Sequence, residues 1–99
     1  MPRYSFEQIK EKLNKMISDG EEPELSLFMY DREYMIICYV DRCSFQRCGS
    51  NDWSGEFYYR TMDELYNSVT VDGILLKRDW NDITGFECAD YRLLYKEDF

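Results

Sequence analysis

Apolar side chains recur at Phe6, Ile9, Leu13, Met16 and Ile17, three or four positions apart, with Lys10, Glu11, Lys12 and Lys15 filling the other face. This spacing predicts an amphipathic helix with one buried stripe. Ser5-x-x-Gln8 is a capping box that marks its start, and Tyr4 is placed to pack on Ile9 as a hydrophobic staple. Gly20, after Asp19, marks its end, since glycine accepts the left-handed backbone of a helix C-terminus. Glu21-Glu22-Pro23-Glu24 then reads as a short acidic turn.

The period changes to two after that turn. Leu25, Leu27 and Met29 alternate with Phe28 and Tyr30, as in a strand, and Asp31-Arg32 reads as a tight turn. Residues 34–40 are apolar at both parities, which predicts a central strand covered on both faces or facing a partner. Residues 43–48 and 56–60 form a further expected hairpin around the loop Gly49-Ser50-Asn51-Asp52-Trp53-Ser54-Gly55, which is built from turn residues.

Thr61-x-x-Glu64 is a second capping box, opening a helix with Met62, Leu65, Tyr66 and Val69 on its inner face. Asp72-Gly73 breaks the pattern. Leu76, Trp80 and Ile83 fit a short third helix ended by Gly85, and Ala89, Tyr91, Leu93 and Tyr95 alternate as a last strand. The order α-β-β-β-β-α-α-β predicts an α+β fold: a mostly antiparallel sheet of about five strands, with an N-terminal helix and one or two further helices packed on one face. No internal repeat or low-complexity linker interrupts it, and 99 residues suit a single compact domain spanning residues 1–99.

Composition sharpens this picture. An aromatic content of 17% and a hydrophobic content of 44% exclude intrinsic disorder. The longest apolar run, residues 35–40, is far short of the ~18 residues that cross a bilayer. The N-terminus has no apolar segment of the secretory type. The expected location is the cytoplasm, where the four cysteines stay reduced. Net charge is −8 and uneven: residues 1–50 carry seven basic and nine acidic side chains, residues 51–99 five and eleven. That balance argues against direct nucleic-acid binding, which needs cations to displace counterions, and against an anionic membrane.

Candidate chemistry is sparse. The chain has no histidine, and neither a G-x-S-x-G elbow nor a glycine-rich phosphate loop. Carboxylate pairs such as Asp79/Asp82 and Asp63/Glu64 read as solvated helix faces rather than acid–base pairs. The expectation is therefore a protein that is not an enzyme and uses no cofactor. Cys38, Cys43, Cys48 and Cys88 are the only metal candidates, as a four-thiolate zinc site. Their spacing is wider than zinc knuckles use, and in an extended strand Cys38 and Cys43 point to opposite faces unless a turn intervenes. The competing reading, buried reduced thiols, is favoured.

Protein–protein interaction is what remains. Most of the acidic excess lies in the second half, and the predicted binding set is Asp52, Trp53, Glu56, Asp63, Glu64, Asp79 and Asp82, with Glu87 and Asp90 nearby. Trp53 stands in a loop with little beside it in sequence to pack against, and tryptophan is enriched at binding hot spots. Trp80, in register with Leu76 and Ile83, reads as core. Arg42, Arg47 and Arg60 read as cross-strand partners for acids such as Asp41 and Glu56. The expected partner is a protein with a basic surface, and the most concrete form of the expectation is an inhibitor that occupies a nucleic-acid-binding groove as a DNA mimic. In size, charge and compactness alone the chain resembles the small acidic proteins of prophages and other mobile elements, many of which act as inhibitors or immunity-type partners. The alternative is a self-associating structural module, a homodimer paired through residues 34–40 or a free sheet edge.

Overall fold

The computed structural model describes residues 2, 4–49 and 57–88. Helix α1 (Phe6–Ser18) leads into strands β1 (Glu24–Met29), β2 (Arg32–Cys38), β3 (Cys43–Arg47) and β4 (Phe57–Tyr59). Two short helices follow, α2 (Met62–Tyr66) and α3 (Leu76–Asp79), with 3-10 turns at Val71–Gly73 and Trp80–Asp82, before strand β5 (Gly85–Cys88). The expected α+β class is the one observed.

The start of α1 is the one its capping box specifies. The Ser5 hydroxyl accepts from the Gln8 amide at 3.2 Å, and the Gln8 side chain accepts from the Ser5 amide at 2.8 Å. Phe6, Ile9, Leu13 and Met16 are buried along its inner face. The Thr61 cap of α2 is only half a box. Thr61 Oγ1 accepts from the Glu64 amide, but the Glu64 carboxylate accepts from the amide of Arg60, one residue earlier than the motif predicts. That helix ends at Tyr66, so Val69, expected on its inner face, is 69% exposed.

The sheet is antiparallel throughout, in the order β4-β3-β2-β1-β5. β2 is its central strand, as the apolar run predicted, but it ends at Cys38, and Val40 lies 85% exposed beyond it. The β1–β2 turn falls one residue earlier than expected. Tyr30 and Asp31 occupy it with φ of 55° and 58°, the left-handed geometry that matches a two-residue turn to the twist of its strands. β5 begins at Gly85, where the sequence suggested a helix stop. The strand expected from Ala89 to Tyr95 lies outside the described residues.

One parity of every strand forms the core. Leu25, Leu27, Met29, Tyr34, Ile36, Cys38, Cys43, Phe45, Tyr59, Phe86 and Cys88 join the inner residues of the helices in one buried cluster. The connection from β4 to β5 runs from one edge of the sheet to the other, and the third helix predicted there is only one turn of α-helix followed by a 3-10 turn. Leu76, Trp80 and Ile83 are nonetheless all buried. Trp80 explains why so short an element suffices. Its ring meets Phe6 edge-on at 5.5 Å, Tyr66 at 6.0 Å and Phe86 at 5.8 Å, while its Nε1–H donates to the Tyr4 carbonyl at 3.0 Å. Phe6 in turn stacks on Tyr66 at 3.9 Å.

Replacing Trp80 with alanine should cost about 3–5 kcal/mol in urea unfolding, in line with large aromatic truncations in cores. Ser5→Ala should cost about 1 kcal/mol, as loss of an N-cap does.

Candidate interaction surface

The predicted binding residues fall into three groups. Asp52, Trp53 and Glu56 lie outside the described residues. Asp63 and Glu64 sit together in the first turn of α2, where their charge favours the helix N-terminus. Asp63 also binds Lys10 of α1 at 3.0 Å. The ammonium of Lys10, held by Asp63 and then by Glu7, is raised above its ordinary value. Asp79 and Asp82 form the third group, around the turn residue Tyr30.

Asp79 is 6% exposed and turned inward. Its carboxylate accepts from the Leu75 amide at 3.0 Å, from Nε and Nη2 of Arg78 at 2.9 Å each, and from the Tyr30 hydroxyl at 3.2 Å. Asp82 accepts from the same hydroxyl at 2.5 Å. The Arg78 guanidinium holds the Asp79 carboxyl below its usual range, and the hydrogen bond to Asp82, then burial, push the Tyr30 phenol well above its own. The two acids thus tie the β1–β2 turn to α3 and to the 3-10 turn that follows it. Asp72 ties β2 and β3 to the 3-10 turn at Val71–Gly73 from a left-handed position (φ 57°), accepting from Arg32 at 3.3 Å, Arg47 at 3.2 Å and the Tyr34 hydroxyl at 2.9 Å. Arg47 therefore partners Asp72, where the sequence suggested a cross-strand acid.

Sequence order concealed a different acidic surface. On the sheet face turned away from the buried cluster, Glu24 and Glu87 are exposed and Glu33 is half-buried, on β1, β5 and β2 respectively. Ser26 lies opposite Glu87 across β1 and β5, and its hydroxyl donates to Glu33 at 2.7 Å. Half-buried Phe28, Met35 and Ile37 lie among these acids. Alternating parity could have placed each residue on this face, but only the strand order makes neighbours of strands as distant in sequence as β1 and β5.

Charges of both signs meet elsewhere, where Lys10, Arg42 and Arg60 lie with Asp41 and Asp63. A groove of about 410 Å³ is lined by Lys10, Arg42, Arg60, Cys38, Cys43 and Asp63, among others. The Arg42 guanidinium lies 4.5 Å from the Tyr58 ring centre and 5.4 Å from that of Tyr39. Arg42 is therefore held by aromatic faces instead of the carboxylate expected from sequence.

The cysteines do not assemble as a four-thiolate site. Cys38, Cys43 and Cys88 are buried and Cys48 is half-buried, and no group of three or more metal-binding side chains converges among the described residues. Cys48 lies on the opposite sheet face, beside Glu33. Burial, then that carboxylate, push its thiol up to about 11.

No protein-family model, no curated protein and no solved structure matches the chain.

Asp79→Asn should lower stability by about 1–3 kcal/mol at neutral pH, since it weakens hydrogen bonds to a charged acceptor. A carboxyl depressed in the folded state stabilises above its unfolded value of about 4 and loses that contribution as pH falls through the lower folded value. The gap between wild type and Asp79→Asn should therefore narrow in denaturation curves taken from pH 7 towards pH 3, within roughly the range set by these values.

Proposed function

We propose that this protein is a non-enzymatic interaction module that binds a basic surface of another protein, in its most specific form an inhibitor occupying a surface that nucleic acid would otherwise fill. The observation that carries this reading is how the fold distributes its charges. Lys10, Arg32, Arg47 and Arg78 are tied to carboxylates, and Lys12 and Arg42 lie over aromatic rings. Exposed Glu11, Asp19, Glu22, Glu24, Asp41 and Glu87 make no ion pair among the described residues. Much of the positive charge is used to hold the fold together, and the acidic surplus is left to face solvent. Lys15, Arg60 and Lys77 are also exposed, so the surface carries both signs with an acidic excess, and such an excess on a small body accelerates encounter with an oppositely charged partner.

The sheet face bearing Glu24, Glu33 and Glu87 adds what charge alone lacks. Its half-buried Phe28, Met35 and Ile37 offer apolar contact beside the carboxylates, and interfaces place apolar groups at their centre and charged ones at the rim. Nothing in this reading needs a metal or a catalytic group. The alternative is self-association through β4, whose Phe57 and Tyr58 are 41% and 50% exposed. A dimeric mass in light scattering, returned to monomer by Tyr58→Ser, would favour that alternative.

The deciding test is capture of partners from bacterial lysate on immobilised protein, from about 50 mM to about 500 mM salt, a range over which screening shrinks the reach of exposed charges severalfold. The expected catch is a protein with a basic nucleic-acid-binding surface, released by salt, lost with the double variant Glu24→Lys/Glu87→Lys, and competed by DNA or RNA. Capture that persists at high salt and in that variant would sink the proposal.

A further inference from the structure

Cys38 and Cys43 end β2 and begin β3, directly opposite one another in register. Two backbone bonds define how they face. The Tyr39 amide donates to the Arg42 carbonyl at 2.8 Å, and the Cys48 amide donates to the Glu33 carbonyl at 2.8 Å. The hydrogen-bonded pairs of this antiparallel ladder are thus 39/42 and 33/48 with every second pair between, which leaves 38/43 as a non-hydrogen-bonded pair. In such pairs the Cα atoms approach to about 4.5 Å and the side chains lie closest, within the 4.4–6.8 Å window that a disulfide spans. Both thiols are on the core face, at 1% and 3% exposure, and both line the groove that opens between α1, the start of α2 and the loop of residues 39–42. The turn between them is what places two residues five apart on the same face.

We propose that Cys38 and Cys43 are a built-in dithiol site that closes to an intramolecular disulfide with a low-molecular-weight disulfide such as oxidised glutathione. One protein thiolate attacks the small disulfide, forming a mixed disulfide and releasing one small thiolate. The second protein thiolate then attacks the protein sulfur of that mixed disulfide and releases the other. One small disulfide and two protein thiols become one protein disulfide and two small thiols. The second step is fast because the resolving sulfur is already opposite. The first step is slow near neutral pH because the attacking species is the thiolate. Burial pushes Cys38 up to about 12, with further contributions from the charges on Cys43 and Cys88, and pushes Cys43 up to about 11. Neither of the other cysteines stands in register with a cysteine: Cys48 faces the other side of the sheet, and Cys88 pairs in the ladder with Leu25 of β1, with its thiol near enough to Cys38 to act on it electrostatically. Closure ties residues 39–42 into a covalent ring and fixes the rim of the groove, including the arginine that rests on Tyr39 and Tyr58. The assignment stands whether or not the acidic surface binds a partner.

The test uses the folded wild-type protein, so no variant has to survive. It is incubated with oxidised glutathione at several pH values between 7 and 9, quenched, alkylated and mapped by mass spectrometry. The expected product has lost two alkylatable thiols, carries a Cys38–Cys43 linkage, and forms about tenfold faster for each pH unit in this range, as thiolate attack requires. Cys48→Ala should form the same product at the same rate. Stable mixed disulfides without ring closure, a linkage that includes Cys48 or Cys88, or four alkylatable thiols remaining after exposure at pH 9 would each overturn the assignment.

Discussion

The meeting of four elements on one indole is the contact on which the rest of this fold depends. Trp80 belongs to a 3-10 turn too short to hold itself in place, yet its ring touches α1 through Phe6, α2 through Tyr66 and β5 through Phe86. Its N–H reaches the Tyr4 carbonyl just ahead of α1. Short helices are unstable alone, because nucleation fixes several residues for a single hydrogen bond. Tertiary burial must therefore supply what length does not, and an aromatic side chain supplies the most per residue. With Trp80 seated, β5 can reach β1 and close the sheet at the edge opposite β4.

Carboxylates complete what the indole begins. Asp72 and Asp79 lie in the same connection between α2 and β5, and each draws donors from the hairpins: Arg32, Tyr34 and Arg47 for the first, Tyr30 for the second, which also binds Arg78. Tyr30 sits in a left-handed turn position that favours glycine or asparagine, and its hydroxyl contacts give a reason for a tyrosine there. This use of charge separates the acids into two populations. Some hold the molecule together, and the rest define its exterior. A count of charges along the chain cannot tell these apart, although a net charge of −8 was plain from the start.

Legibility in the sequence followed the range of the interaction. The first helix was readable because its capping box and its 3.6-residue stripe are local and agree. The β1–β2 hairpin was readable to within one residue, since alternation marks the strands while the turn depends on Tyr30 finding distant acids. The short third helix was legible as an element but not in where it ends, because Leu76, Trp80 and Ile83 fit helical spacing but are equally well buried by one helical turn, a 3-10 turn and an extended residue. Cys38 and Cys43 depended on a single alternative, strand or turn, that counting residues does not decide. The cluster of Glu24, Glu33 and Glu87 was the least visible, because its members become neighbours only once β5 has crossed to pair with β1.

That crossing has a dynamic consequence. The sheet is closed by backbone ladders, which share strain along their length. Residues 67–84 are held mainly by side chains: the buried Ile74, Leu76, Trp80 and Ile83, and the carboxylates of Asp72 and Asp79 with the donors they collect. Such a segment can open as a unit of its own while β1, β2 and β3 stay paired, so its backbone amides should belong to a lower tier of hydrogen-exchange protection than those of the central strands. The molecule then has two levels of cooperativity within 99 residues: a durable sheet, and a strap across it whose release would free β5 from its place beside β1.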